Sequence, residues 1–146
     1  MSALQISTDK DQLDVELIHR FLSTDAYWSR GIPRATVERA IAGSLCFGGY
    51  LDGHQVAFAR VVTDGATFGY LADVFVLPEH RGRGYSKTLM NIVMAHPQLQ
   101  GLRRFSLATG DAHDLYAAFG FAAPTRPQNL MEKFDMDVYS RETVKA

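Results

Sequence analysis

Residues 81–86, with the sequence Arg-Gly-Arg-Gly-Tyr-Ser, have the composition of an anion-binding turn. Gly82 and Gly84 permit backbone angles that other residues avoid, and they let a ligand approach the main chain closely. The apolar spacing of residues 87–94 predicts a helix directly after the turn. The first N–H groups of a helix lack intrahelical partners, and the helix dipole favours negative charge there. The stretch therefore predicts a phosphate or pyrophosphate site, to which the two arginines add positive charge.

A β-strand is predicted to lead into this turn. Val74, Phe75 and Val76 form a β-branched and aromatic run, and Pro78, which cannot donate to a sheet ladder, follows its end. Because the strand is followed by a glycine turn and a helix, the anion site is expected at the end of a sheet, where neighbouring strands diverge. We therefore expect a cleft that opens beside the end of this strand.

The remaining elements have the pattern of a mixed α/β sheet. Two helices precede three antiparallel strands, and Asp52-Gly53 and Asp64-Gly65 are predicted to form the turns between those strands. A helix, a strand, a short helix and a weakly alternating final segment follow, so that the predicted order is β-α-α-β-β-β-α-β-α-β. The predicted strands are 4–6, 45–51, 54–62, 66–77, 103–109 and 131–139, and the predicted helices are 13–22, 33–43, 87–94 and 112–119.

Length and composition predict one globular domain over residues 1–146, with 47% hydrophobic residues available for a core. The net charge of −1 argues against a nucleic-acid partner, and no apolar run reaches the length of a membrane span. The single cysteine, Cys46, cannot form an internal disulfide and fits a reducing compartment. We therefore expect a cytoplasmic protein that binds neither nucleic acid nor membrane.

Two motifs resemble the GCN5-related N-acetyltransferase (GNAT) superfamily, whose element order is similar over nearly the whole chain. Residues 81–86 are close to its acyl-CoA pyrophosphate signature, Arg/Gln-x-x-Gly-x-Gly/Ala. Residues 112–121 have the sequence Ala-His-Asp-Leu-Tyr-Ala-Ala-Phe-Gly-Phe. They look like a second segment of the superfamily, in which an alanine is followed four residues later by a tyrosine and, after three more residues, by Gly-Phe. Ser86 replaces the usual glycine or alanine, and its small side chain should preserve backbone binding. Thr109 replaces a common asparagine and can still donate one hydrogen bond.

The resemblance implies the acyl-CoA N-acyltransferase fold, with splayed central strands, and acetyl-CoA as the donor substrate. The strand before the turn would pair with the pantetheine arm as an added strand does, and the amides of the turn would hold the pyrophosphate. The implied CoA-binding residues are Val74, Phe75, Val76, Arg81, Gly82, Arg83, Gly84, Tyr85, Ser86 and Thr109.

The resemblance also implies direct transfer to an amine. Tyr116 is the candidate general acid that protonates the leaving thiolate, and the backbone N–H of Val76 is the candidate donor to the thioester carbonyl. Asp73 is a candidate base that removes the amine proton through water. A solvated strand carboxylate, or one paired with an arginine, is an equally open interpretation of Asp73.

Two other catalytic devices are disfavoured. Cys46 could form an acetyl-enzyme intermediate, but its apolar neighbours are typical of a core cysteine. No metal site is expected, because the five histidines show no ligand spacing.

The acceptor site is predicted from large amphipathic residues between the first two helices, Tyr27, Trp28 and Arg30. Arg60 is a cation inside an apolar strand and needs a partner. Either arginine could clamp a carboxylate of the acceptor, as arginine forks do. The alternative for Arg60 is a structural ion pair, with the candidate partners Asp64, Asp73 and Glu38.

The favoured function is an acetyl-CoA-dependent N-acetyltransferase that acts on a primary amine. A small-molecule acceptor is favoured over a protein acceptor. The alternative is a non-catalytic acyl-CoA-binding module or sensor on the same fold. A homodimer is also expected as a possible assembly, because proteins of this superfamily often associate through sheet edges or C-terminal strands. A dinucleotide-binding site is excluded, because the turn lacks the G-x-G-x-x-G spacing and does not follow the first strand.

Overall fold

A five-stranded sheet forms the centre of the protein, whose computed structural model describes residues 3–141. The strands lie in chain order across the sheet, and all neighbours are antiparallel except β4 and β5, which are parallel. The mixed α/β sheet predicted from the sequence is therefore confirmed. The strands are β1 (Gln5–Ser7), β2 (Leu45–Leu51), β3 (His54–Thr63), β4 (Phe68–Val76) and β5 (Arg104–Leu107).

Helices cover both faces of this sheet, because its central strands are apolar on both sides. The helices are α1 (Val15–Arg20), which continues as a π-helical turn (Phe21–Asp25), α2 (Arg34–Ala42), α3 (Tyr85–Ala95) and α4 (His113–Ala117). One core cluster joins Phe58 of β3 to residues of α1 and α2, and the other joins Ala57 and Ala59 to Leu89 of α3. No helix in residues 3–141 is long and apolar enough to cross a membrane.

The predicted final strand at 131–139 is wrong. Residues 131–135 have no regular secondary structure and the chain then forms a turn up to Ser140. Asp135 accounts for this difference, because its carboxylate accepts a hydrogen bond from the Asp137 N–H at 3.2 Å and pairs with Arg141. Such local bonds to aspartate compete with a sheet ladder. The apolar side chains of the segment stay exposed instead, Met131 by 98% and Met136 by 81%.

A β-bulge in β4 shapes the part of the sheet that matters for function. The register with β3 shifts between Phe58, which faces Phe75, and Arg60, which faces Ala72. Asp73 lies within the bulge with a left-handed φ of +56°, a conformation that aspartate adopts more readily than most residues. The parallel pairing with β5 ends just before it, at Leu71. Beyond this point β4 and β5 are unpaired, which agrees with the expected splayed strands.

Candidate active site

Beyond Leu71 a gap separates β4 from β5, and the edge of β4 that faces this gap carries backbone groups with no strand partner. The Leu77 N–H donates to the Val56 carbonyl at 2.9 Å, so Leu77 faces β3. Backbone groups alternate in direction along a strand, and those of Val76 therefore face away from β3, toward the gap. The Val76 carbonyl accepts a hydrogen bond from Arg81 Nε at 2.9 Å, while its N–H points to the same side. Phe75, by contrast, pairs with Phe58 of β3.

The glycine turn lies beyond this edge and ends at the first residue of α3. Gly84 is the N-cap of α3 and has a left-handed φ of +80°. A Cβ atom at Gly82 or Gly84 would meet no heavy atom within 4 Å. The first turn of the eleven-residue helix, with Tyr85 and Ser86, presents N–H groups toward this open space. The arrangement fits the predicted pyrophosphate site.

A cavity of about 480 Å³ occupies the gap between β4 and β5, and we call it the Tyr116 cavity. Tyr116, on α4, is 9% exposed and lies on its wall. Burial, and to a smaller degree the carboxylate of Asp111, raises the pKa of the Tyr116 phenol above its usual value near 10. A phenol with a raised pKa keeps its proton over the whole neutral range, so Tyr116 can act as a proton donor there.

Asp73 connects three segments of the chain on the opposite wall. Its Oδ1 accepts a hydrogen bond from Trp28 Nε1 at 2.9 Å, and its Oδ2 accepts one from Arg60 Nε at 2.9 Å. Arg60 also donates through Nη1 to Ser44 Oγ at 3.0 Å. The Arg60 and Asp73 side chains are only 17% and 11% exposed, respectively. Of the open interpretations of Arg60, the structural ion pair with Asp73 is therefore the one observed.

The loop before α4 approaches the same wall. Tyr27 Oη accepts a hydrogen bond from the Gly110 N–H at 2.9 Å, across 83 residues of sequence. Thr109 Oγ1 accepts one from the Ala112 N–H at 3.0 Å, and it thereby satisfies a backbone donor at the start of α4. Tyr27 thus spans the mouth of the gap between the two splayed strands.

The structure brings part of the sixteen predicted site residues together in one cavity. Seven of them line the Tyr116 cavity: Tyr27, Trp28, Arg60, Asp73, Val74, Thr109 and Tyr116. The side chain of Phe75 packs in the core, stacked on Phe21 at 4.0 Å between ring centroids. Arg30 is exposed and is not among the residues that line the cavity.

Sequence reasoning missed several residues of the cavity wall. Tyr70 and Asp111 line it from β4 and from the loop before α4, and Glu132, Phe134 and Tyr139 line it from the C-terminal segment. The alternation of Tyr70 with Leu71 along β4 could have indicated that Tyr70 lies on a surface. No local signal identifies the C-terminal residues, because their segment reaches the cavity without regular secondary structure.

Two other predictions concern the roles of Cys46 and of a metal ion. Cys46 is 1% exposed, and burial raises the pKa of its thiol to about 11, so almost no thiolate exists at neutral pH. These values favour the core interpretation of Cys46 over an acetyl-enzyme intermediate. Within residues 3–141, no three His, Cys, Asp or Glu side chains form a group that could hold a metal ion.

Comparison with known proteins identifies the family. The model of the acetyltransferase (GNAT) family matches residues 15–121. The chain belongs to the GNAT family. A protein of Gibberella zeae, provisionally named an acetyltransferase, is 37% identical, over 76% of this chain and 74% of its own.

Solved structures agree with this membership. A crystal structure from Xanthomonas campestris, provisionally assigned to the GNAT acetyltransferases, is 64% identical with a TM-score of 0.94, over 97% of this chain and 99% of that one. A predicted acetyltransferase from Clostridium acetobutylicum, solved with acetyl-CoA, has the same fold at 14% identity and a TM-score of 0.68, over 92% and 96% of the two chains. The predicted superfamily and fold are thus confirmed, and the relatives support acetyl transfer as the general activity.

Gly84 offers a test of the turn. We expect Gly84→Val to raise the Kd for CoA at least about 100-fold, which corresponds to about 2.7 kcal/mol, because the new side chain would fill the open space at the N-terminus of α3. Isothermal titration calorimetry measures the Kd, and thermal unfolding reports the stability. A folded Gly84→Val protein with unchanged CoA affinity would contradict the assignment of the turn.

Gly101→Val is the matched control for this substitution. Gly101 also has a left-handed φ, of +70°, and a Cβ there would likewise meet no heavy atom within 4 Å. It lies in the loop before β5, at the other end of the sheet from the gap. Both substitutions should cost a similar backbone penalty, of about 1–2 kcal/mol or more. Only Gly84→Val should change CoA binding.

Proposed function

We propose that this GNAT protein is an N-acetyltransferase that transfers the acetyl group of acetyl-CoA directly to the primary amine of a small molecule. One observation carries the proposal. The gap between β4 and β5 has the glycine turn at its outer end, the free N–H of Val76 along its edge and the phenol of Tyr116 on its inner wall. Donor binding, carbonyl polarisation and proton donation therefore have a candidate group within one gap.

The donor would lie along β4, with the turn holding its pyrophosphate. The backbone of Val74 and Val76 supplies the pairing groups, while Phe75 contributes mainly by anchoring the strand in the core. Arg81 is partly engaged by the Val76 carbonyl. The N–H groups of the predicted turn residues, with the charges of its arginines, remain for the pyrophosphate. Thr109 would contribute indirectly, by ordering the loop before α4.

The reaction forms a C–N bond to the acceptor and breaks the C–S bond of the thioester. The Val76 N–H would donate to the carbonyl oxygen as negative charge develops there. The sulfur leaves with the electron pair of the broken bond, and Tyr116 would supply the proton for it. The ammonium of the acceptor must first release one proton to solvent or to a base. The nitrogen releases a second proton as the amide forms, and this proton balances the one that Tyr116 gives to the sulfur and regains through solvent.

Asp73 has two candidate roles in that proton balance. As a base, it would accept the amine proton through water. Its hydrogen bonds to Trp28 and Arg60 occupy both carboxylate oxygens and favour a positioning role instead. In that role Asp73 holds the bulge of β4 and the Trp28 ring in place. The base role remains a prediction.

The alternative function is a non-catalytic acyl-CoA-binding module or sensor. It is favoured by the engagement of both Asp73 oxygens by Trp28 and Arg60, and it is disfavoured by the position of Tyr116 on the wall of the cavity. Thiol release from acetyl-CoA with a panel of primary amines separates the two. Tight CoA binding without acetylation of any amine would establish the sensor.

For Tyr116→Phe we expect kcat to fall about 100-fold with little change in CoA affinity, since only the hydroxyl group is lost. The raised pKa also predicts that the wild-type kcat does not fall on the alkaline side until above pH 10, because the acid must stay protonated. Thiol-release kinetics as a function of pH measures both. Phe119→Leu, in the turn that follows α4, is the control for altered packing. An unchanged kcat in Tyr116→Phe would mean that water protonates the thiolate.

Asp73→Asn distinguishes positioning from base catalysis. An asparagine still accepts the Trp28 hydrogen bond but leaves Arg60 without its counter-charge. For a positioning role we expect the acceptor KM to rise about tenfold, a smaller change in kcat and an intact acid limb of the kcat profile. The double variant Asp73→Asn/Arg60→Gln, which leaves no unpaired charge, should recover stability. A 100-fold loss of kcat together with loss of the acid limb would identify Asp73 as the base.

The predicted homodimer has support from the C-terminal segment. Leu130, Met131, Met136 and Val138 are exposed by 45–98%, and β5 has a strand partner on one side only within residues 3–141. A second copy of the chain that covers this edge would remove these apolar surfaces from water. Sedimentation equilibrium should then give twice the chain mass of 16.2 kDa, and Met131→Asp with Met136→Asp should lower it. Monomer mass at micromolar concentration would exclude the dimer.

A further inference from the structure

The charges that line the Tyr116 cavity leave an excess of negative charge. Arg60 is the only basic side chain on this wall among residues 3–141, and Asp73 neutralises it at 2.9 Å. Asp111 and Glu132 also line the cavity, and both are exposed. Two carboxylates therefore remain without a cation on the wall. An incoming molecule meets a field that attracts positive charge and repels negative charge.

The hydrogen bonds of Arg60 oppose its use as a carboxylate clamp. Its Nε donates to Asp73 and its Nη1 donates to Ser44, so that the guanidinium is held in the wall. Turning it toward a ligand would leave the 11%-exposed carboxylate of Asp73 without its counter-charge. The clamp considered for Arg60 is thus disfavoured, and Arg30 lies outside the cavity lining.

Aromatic rings form the other part of the cavity wall. Tyr27 and Trp28 are 54% and 44% exposed, and their rings make an edge contact at 5.1 Å. Both polar ends are fixed, since Tyr27 Oη accepts from the Gly110 N–H and Trp28 Nε1 donates to Asp73. Large rings that are exposed yet held in place lose little conformational entropy when a ligand covers them. Their faces suit an apolar body or a cation.

Further aromatic surface comes from β4 and from the C-terminal segment. Tyr70 is 37% exposed and Phe134 is 67% exposed, and both line the cavity. A volume of about 480 Å³ is in the range of small-molecule sites. The shape, the charge and the apolar lining therefore suit the same kind of ligand.

We propose that the acceptor is a small primary amine with an aromatic or apolar body and no carboxylate. This inference rests on the proposed function and narrows its substrate class. The ammonium group is attracted by Asp111 and Glu132, and the body of the molecule covers the rings of Tyr27 and Trp28. An α-amino acid with the same side chain would place its own carboxylate against two like charges with no free cation to receive it.

The fluorescence of Trp28 tests binding without requiring turnover. It is the chain's only tryptophan and it lines the cavity, so its emission reports occupancy. The probes are 2-phenylethylamine, L-phenylalaninol and L-phenylalanine, titrated into the CoA-bound full chain. Phenylalaninol replaces the carboxylate by a neutral group of similar size and so separates charge from bulk. Trp28→Phe should abolish the signal.

We expect half-saturation by 2-phenylethylamine and by phenylalaninol at concentrations about tenfold or more below that for phenylalanine. The ratio of kcat/KM from thiol release should follow the same order. Asp111→Asn and Glu132→Gln should each reduce the discrimination about threefold, and Glu132→Lys should abolish most of it. Equal or tighter binding of phenylalanine would overturn the inference, as would phenylalaninol that binds as weakly as phenylalanine.

The two proposals fail in different ways in this experiment. The fluorescence titrations could distinguish the amines from phenylalanine while no amine causes thiol release from acetyl-CoA. That result would overturn the proposed transferase function and support the charge selectivity of the cavity. Acetylation of phenylalanine in preference to 2-phenylethylamine and phenylalaninol would support the transferase function and overturn the proposed acceptor class. Absence of any fluorescence change with 2-phenylethylamine and phenylalaninol would also overturn the acceptor class.

Discussion

The carboxylate of Asp73 is the group on which the arrangement of the site depends. Its residue takes a left-handed backbone conformation that costs of the order of 1 kcal/mol or more. Two hydrogen bonds offset that cost, one from Arg60 on β3 and one from Trp28 in the loop before α2. A neutral residue at this position would leave the guanidinium of Arg60 without its counter-charge, and a β-branched or bulky residue would be strained at the left-handed φ. The bulge, the ion pair and the Trp28 position therefore form one unit.

This unit separates the two halves of the gap. On one side of the bulge β4 pairs with β5. On the other side the backbone groups of Val76 face away from β3, where the carbonyl accepts from Arg81 Nε and the N–H points to the gap. The proposed donor-binding groups thus lie on the strand after Asp73. The proposed acceptor wall lies at Asp73 itself, where Trp28 is fixed to the carboxylate and Tyr27 to the loop before α4. Both halves meet beside Tyr116.

The donor half was predictable from the sequence because its determinants are local. A strand, a glycine turn with φ near +80° and a helix N-terminus lie within residues 74–86, and each has its own residue signal. Tyr116 belongs to a second local motif. The acceptor half depends on contacts between residues that are distant in sequence, such as Trp28 with Asp73 and Tyr27 with Gly110. The periodicity of a single sequence does not indicate such pairs. The C-terminal segment was wrongly predicted as a strand, and it contributes Glu132 and Phe134 to the cavity without any periodic pattern.

The same difference explains how one fold can bind one donor and yet select its own acceptor. In the proposed site, backbone groups would recognise the donor, and they are available to almost any sequence that preserves the bulge and the glycines. The acceptor would meet side chains from the loop after α1, the loop before α4 and the C-terminal segment, none of which has to be regular for the sheet to form. Because the ion pair removes the only cation from the cavity wall within residues 3–141, the sign of its charge is set by Asp111 and Glu132 on these irregular segments. Selectivity can therefore change through exposed positions without disturbing the bulge that holds the site open.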